Sequence, residues 1–314
     1  MLVLMGKFGR MGNQLWTYAN VLAYALEHRI SLINPRFEFS ELFVGTARTY
    51  EKNISRVAIH ATPGGISLIN FIYKVNLRLR LFPFVQLGED LLLDLDDSSG
   101  ALQELGSEGI KFLSGFYFRA TKSMENNSLA VRSFFSPVPH LQRRIDDIVM
   151  QARNNSDVLV GVHIRHGDYK TYCDGMMYYT IDEYMVVMRS IVDQLPKCKV
   201  KFLVCSDESH DLKCFADLDV YQSNCEAVVD MYALGMCDFI FGPNSSFSHW
   251  ASFYGHVPLH VLNWRAEEIH HFDNPVRKPI LQDHFSPFLP SQFGKYAARR
   301  VEYKEVVAPS FFFN

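Results

Sequence analysis

The sequence predicts an α/β protein of two units, each built on a parallel sheet with helices over both faces. Short apolar runs alternate with longer stretches of helical period, and the connections between them are short. A length of 314 residues at 48% hydrophobic composition is also enough for two packed cores. The units are drawn at residues 1–150 and 151–314, and neither an internal repeat nor a low-complexity tract appears.

The first unit opens with a strand over Leu2 to Met5 and a loop carrying Gly6, Gly9 and Gly12. A helix is predicted from Asn13, its cap, to Glu27. Leu15, Trp16, Ala19, Leu22, Ala23 and Leu26 recur there at helical spacing and form one buried face. A strand near Ser31 to Ile33 completes the β-α-β start. The stretch to residue 150 is less regular, with an apolar run over Val85 to Leu95 and a strand over Lys111 to Phe118. Ser136-Pro137-Val138-Pro139 interrupts it and reads as the start of a hinge.

The second unit is cleaner. A strand at Val158 to Val162 precedes a helix near Ile181 to Leu195, then a strand Val200 to Cys205 and a helix Glu226 to Met236. A strand Asp238 to Phe241, a helix from Ser245 and a strand Pro258 to Leu262 follow.

Charge narrows the function. The formal net charge is only -3, so no broad positive field exists to hold a nucleic-acid backbone. The six cysteines (173, 198, 205, 214, 225, 237) include no Cys-x-x-Cys pair and read as buried thiols of a reducing, cytoplasmic compartment, with disulfides left open by their even number. The opening Met-Leu-Val-Leu-Met-Gly-Lys is too short for a signal peptide, and no stretch reaches the ~18 to 20 apolar residues of a membrane span. Ile66 to Phe84 is apolar with Lys74, Arg78 and Arg80 interspersed. It reads first as a domain-packing helix and second, over residues 66–84, as a peripheral contact with an anionic membrane.

Three motifs carry the chemistry. Arg10, Gly12, Asn13 and Gln14 sit between the first strand and helix, where glycine lets backbone approach a ligand. The Gly-x-Gly-x-x-Gly dinucleotide spacing is absent. His163, Arg165, His166 and Asp168 follow the strand at Val158, at the carboxyl edge where open α/β sheets bind ligands. Strand alternation turns His163 and Arg165 the same way, and Asp168 is placed to hold the Arg165 fork against phosphate oxygens. Asn244, Ser245, Ser246 and Phe247 open a helix whose hydroxyls and N–H groups form an anion site. Each motif also has a structural reading: a turn, a surface ion pair, a capped helix. Asp230 likewise reads as charge complementing a helix dipole. Asp94-Leu-Asp96-Asp97 and His270-His271 have the residue types of a metal site but read as a solvated loop and as divergent side chains.

Gly-Arg-Met-Gly-Asn-Gln, His-Ile-Arg-His-Gly-Asp-Tyr and Asn-Ser-Ser-Phe-Ser-His-Trp-Ala, in this order, resemble the three motifs of glycosyltransferase family 11. That family contains α1,2-fucosyltransferases and is related to the α1,6- and protein O-fucosyltransferases. Gly115 to Phe118, Cys205 to Glu208 and Asp230 to Ala233 resemble further family segments, so the likeness spans about residues 1 to 265. It implies a GT-B architecture of two Rossmann-like domains facing a cleft, the first on the acceptor side. It also implies GDP-β-L-fucose as donor, a glycan acceptor, no metal and no cofactor.

By the resemblance Arg165 contacts the β-phosphate and the departing oxygen, and Ser245, Ser246 and Phe247 hold the pyrophosphate and fucose. His163 and Asp230 read the guanine or ribose, while Asn13 and Gln14 approach from the first domain. Asp168 is the choice for general base, with orientation of Arg165 as its alternative. His166 stands where the family usually has a second arginine, and His249-Trp250 replaces the usual Trp-Trp. A different nucleotide-sugar donor and a binding protein without turnover therefore remain as other readings.

Overall fold

The computed structural model describes residues 1–6, 8–47, 63–87, 93–96, 109–175, 177–215, 217–263 and 280–281. The chain forms two compact units, the first over Met1–Pro139 and the second beginning at His140. The division follows Pro139, the last residue of the Pro-Val-Pro segment, earlier than residue 150. Its physical reason is the helix α4 (Pro139–Arg153), numbered here in chain order. α4 buries Leu141, Ile145, Ile148, Val149 and Ala152, and its last residue, Arg153, donates to Asp238 at 2.8 Å and to the Met236 carbonyl at 3.1 Å. Those partners belong to the second unit.

In the first unit β1 (Leu2–Leu4) lies between β2 (Leu32–Ile33) and β5 (Lys111–Ser114), and β5 pairs with β3 (Phe84–Gln86), all in parallel. α1 (Met11–Glu27) covers the sheet with Leu15, Val21, Leu22, Ala23 and Ala25 fully buried. Each buried Leu or Val of this kind contributes ~1.5–3 kcal/mol. α2 (Pro63–Leu79) packs Ile69, Ile72 and Tyr73 against Val3, Met5 and Phe112. The predicted strand over Lys111 to Phe118 is two strands, β5 and β6 (Phe118–Arg119), the second paired with β4 (Leu93–Asp94). Gly115 marks the break, because a Cβ there would stand 2.6 Å from Leu87 Cβ. α3 (Thr121–Phe134) lies against α1.

The second unit holds a six-stranded sheet in the order β12-β11-β10-β7-β8-β9. Its centre is β7 (Val158–Ile164), flanked in parallel by β8 (Val200–Ser206) and β10 (Phe239–Pro243). All seven residues of β7 are buried, as a strand covered on both faces requires. β9 (Val220–Gln222) and β11 (Leu259–Asn263) extend the parallel array, and β12 (Ile280–Leu281) joins it antiparallel. The connecting helices are α5 (Ile181–Gln194), α6 (Ala227–Leu234) and α7 (Ser246–Gly255). α5 begins with a capping box, in which Glu183 N–H donates to Thr180 Oγ1 and Thr180 N–H donates to Glu183 Oε2.

Strand order fixes where a ligand fits. From β7 the chain winds outward through β8 and β9, then crosses back to β10 and β11 on the other side. The winding reverses between β7 and β10, and the crevice at the carboxyl ends of such strands is the ligand position of open α/β sheets. In the first unit the reversal lies between β1 and β5, next to the loop before α1. Both motif regions thus sit at switch points of their own sheets.

Candidate active site

β7 ends at Ile164, so Arg165 is the first residue released from the ladder and strand alternation no longer governs it. Its guanidinium is bracketed: Nη2 lies 2.7 Å from Asp168 Oδ1 and Nη1 lies 3.1 Å from Asp207 Oδ2. The Tyr169 ring underlies it, 5.6 Å from Cζ to centroid. A guanidinium has more N–H donors than these two contacts use, so the bracket fixes the fork without exhausting it.

Asp207 also accepts the His166 backbone N–H at 2.8 Å. It follows β8 directly, and the parallel register that sets Ile164 beside Ser206 carries it to Arg165. Gly167 makes the reach possible, since a Cβ there would stand 2.5 Å from Asp207 Oδ2. Asp207 lies in the family-like segment Cys205 to Glu208, where the sequence alone assigns it no role. The signal that finds it is an acid just past the end of the strand parallel to β7.

His163 joins this edge to the second motif. It is buried; Nδ1 lies 2.6 Å from Ser248 Oγ and its ring stacks on Phe247 at 4.7 Å. Burial, with a smaller effect from the Arg165 charge, pushes its pKa down to about 3, so the ring is neutral at working pH. Ser245 caps α7, its hydroxyl accepting the Phe247 N–H at 3.3 Å, as the sequence predicts. Asn244 and Ser246 flank the cap; Asn244 Oδ1 meets His249 Nε2 at 3.1 Å, and the Tyr169 hydroxyl donates to the Asn244 carbonyl at 3.2 Å. Tyr169 therefore touches both the Arg165 loop and the α7 start, a link the sequence did not announce.

The His166 ring is turned into the packing of its loop. Nε2 donates to the Tyr179 carbonyl at 2.8 Å, and the ring lies against Tyr178 and His210 at 4.8 and 5.1 Å. Asp230, in the first turn of α6, is buried and accepts a hydrogen bond from the Ser223 hydroxyl. Burial raises its pKa to about 7.

Arg10, Gly12, Asn13 and Gln14 belong to the first unit. Here the predicted cap is corrected: α1 begins at Met11 with Arg10 at the N-cap position, so Asn13 lies inside the first turn. Gly9, at φ +65, takes a left-handed conformation that favours glycine, and a Cβ there would collide with the Asn13 amide. Gln14 is buried; its amide donates to Glu38 at 2.9 Å and accepts the Glu38 N–H at 3.3 Å. Gln14 also lines a small pocket with Leu4, Gly6, Phe8, Thr17, Asn34 and Phe37.

The acidic loop is likewise corrected. Asp96 is no solvated carboxylate: it accepts the Ser123 N–H at 2.8 Å and the Ser123 hydroxyl, anchoring the start of α3. His270 and His271 lie outside the described residues. Among the described residues no group of three His, Cys, Asp or Glu side chains is placed to hold a metal.

A braced arginine and a serine-capped helix start, at the switch point of a parallel sheet, offer the kinds of donor that a phosphate group binds. The model of glycosyl transferase family 11 matches residues 111–278, more than half of the 314, and includes every second-unit site residue. The chain belongs to glycosyl transferase family 11. It is a glycosyltransferase, and its fold recurs in solved fucosyltransferases. One is an Arabidopsis thaliana FUT1 mutant in complex with GDP, 14% identical with a TM-score of 0.56, covering 84% of this chain and 70% of that one. Another is NodZ from Bradyrhizobium, at 15% identity and a TM-score of 0.54 over 84% and 96% of the two chains. POFUT1 in complex with GDP is a third, at 13% and 0.51 over 82% and 96%. At such identities the likeness is one of fold. No curated protein matches the chain.

Proposed function

We propose that this family 11 glycosyltransferase moves L-fucose from GDP-β-L-fucose to a galactose hydroxyl of a glycan, forming an α1,2 linkage with inversion and without a metal. The observation that carries the reading is the Arg165 bracket on the sheet edge that His163 ties to the start of α7. Solved neighbours in complex with GDP, and a NodZ crystal soaked with GDP-fucose, support a guanosine nucleotide-sugar as donor.

In the reaction the bond between fucose C1 and the β-phosphate oxygen breaks, and its electron pair leaves with GDP. The acceptor oxygen forms the new C1–O bond on the opposite face and releases its proton to solvent water. Negative charge grows on the departing phosphate, where a fixed guanidinium and helix-start N–H groups stabilise it more than in the ground state. Arg165 supplies the guanidinium, Ser245, Ser246 and Phe247 the helix start. Asp168, paired with Arg165, fits the orienting role better than that of base. His163 and Asp230 read the nucleoside. Cys198, Cys205, Cys214, Cys225 and Cys237 are free, which supports a cytoplasmic setting.

The test is transfer from GDP-fucose to a panel of galactose-terminated glycans with EDTA present and Arg165→Ala as control. Transfer that survives chelation and vanishes in the folded variant is expected. Normal turnover by Arg165→Ala would sink the assignment, and GDP binding without fucosyl transfer would move the donor to another sugar.

A further inference from the structure

α2 has two unlike faces. Ile69, Ile72 and Tyr73 pack into the first unit's core. On another side Leu68, Phe71 and Leu79 are 59, 64 and 63% exposed, with Val75 partly exposed between them. Positions 68, 71, 75 and 79 follow helical spacing and form one stripe. Exposed Lys74 and Arg78 run along its edge.

The stripe continues into a built turn. Arg80, at φ +50, ends the helix with its N–H on the Asn76 carbonyl at 2.8 Å. The buried Asn76 side chain then clasps Phe82, donating to its carbonyl at 3.1 Å and accepting its N–H at 2.7 Å. This clasp folds the chain so that Leu79 and Leu81, the latter 62% exposed, project with Arg80 as an apolar, basic tip. Apolar groups so held out stay in water, and a contiguous exposed apolar patch rimmed by polar residues is the usual mark of an interaction surface.

Charge selects the partner. From Pro63 to Leu87 the sequence has Lys74, Arg78 and Arg80 and not one Asp or Glu. A second copy meeting this face by its own face would set cation against cation with no acid to answer. An anionic lipid surface answers both halves, taking the leucines and phenylalanine at the acyl boundary and the cations at the headgroups. No described helix is long and apolar enough to cross a membrane, so the geometry is one of lying on it.

We infer that α2 and the turn after it dock this enzyme on an anionic membrane surface through Leu68, Phe71, Leu79 and Leu81, with Lys74, Arg78 and Arg80 against the headgroups. The inference is independent of the donor assignment.

Sedimentation of the full chain with vesicles tests it, using phosphatidylcholine alone and phosphatidylcholine mixed with phosphatidylglycerol. The intact protein should pellet with the mixed vesicles and far less with the neutral ones. Lys74→Gln with Arg78→Gln and Arg80→Gln should cut partitioning about 100-fold, at roughly fivefold per cation near the surface. Phe71→Ser with Leu79→Ser and Leu81→Ser should abolish it, while thermal unfolding and GDP binding stay unchanged. If that triple variant does not fold, Phe71→Ser alone should still weaken binding. Failure of the intact chain to pellet with mixed vesicles, or equal binding to both kinds, overturns the inference. So does a concentration-dependent dimer that the serine variant loses while vesicle binding is absent, because the face then belongs to a second copy.

Discussion

His163 Nδ1 and Ser248 Oγ stand 2.6 Å apart, both residues buried, and this hydrogen bond locks the end of β7 to the first turn of α7. The two motifs most visible in the sequence are thus one piece of structure. Ser248→Ala leaves a buried ring nitrogen without its partner and should cost about 1–3 kcal/mol of stability. It should also weaken GDP binding, because Phe247 stacks on the same ring. Urea unfolding and calorimetric titration with GDP read the two effects. A destabilised variant with wild-type GDP affinity would separate the lock from the nucleotide site.

Arg165→Lys keeps the positive charge but not the planar fork that Asp168 and Asp207 hold from two sides. If the fork is aimed at the departing phosphate, the lysine variant should lose roughly 10²–10³-fold in kcat, close to the loss for a missing transition-state donor. Fold and thermal midpoint should hardly change, since the site is at the rim of the sheet. Retention of most of kcat would mean that a point charge suffices and that the bracket is structural.

The Gly167→Ala variant addresses the bracket without touching either charge. A Cβ at this position would stand 2.5 Å from Asp207 Oδ2, and the movable end of that side chain is what yields. Asp207 then leaves Arg165, so transfer should fall by about the same factor as in Asp207→Asn, roughly tenfold or more. The double variant should be no worse than either single one, as expected of residues acting through one contact. Additive losses would place Gly167 on a different route.

Much of the second unit was legible because a doubly covered parallel strand leaves an unbroken apolar run, as in β7, and because Ser245 is a residue type with a strong capping preference. What escaped was non-local. Asp207 matters only once β8 is known to lie beside β7, and Tyr169 only once its hydroxyl is seen on the Asn244 carbonyl. Asn13 lost its predicted cap role because α1 starts two residues earlier, at Met11, after an extended Arg10 whose side chain is not a capping type. The irregular stretch before residue 150 hid two helices, α3 and α4, whose mean hydropathy is low although Val131, Phe134, Leu141 and Ile145 are buried.

Asp230 gives a pH dependence of definite sign. Burial raises its pKa from 3.8 to about 7, so between those values the folded protein holds a proton that the unfolded chain has released. Its favourable contribution is complete below 3.8 and fades as pH rises through about 7. The histidines act oppositely: burial lowers His163 to about 3 and His249 to about 4 from 6.5, so their contributions are present above 6.5 and fade as pH falls through those values. In the wild type the two trends offset each other over the shared window. Asp230→Asn keeps an acceptor for the Ser223 hydroxyl but cannot titrate, so its stability should climb more steeply from pH 4 to 7 than that of wild type. The difference should reach roughly 4 kcal/mol at most, from a shift of about three pH units at 1.36 kcal/mol each. Urea unfolding at several pH values measures it, and parallel curves for the two proteins would mean that Asp230 is ionised in the fold.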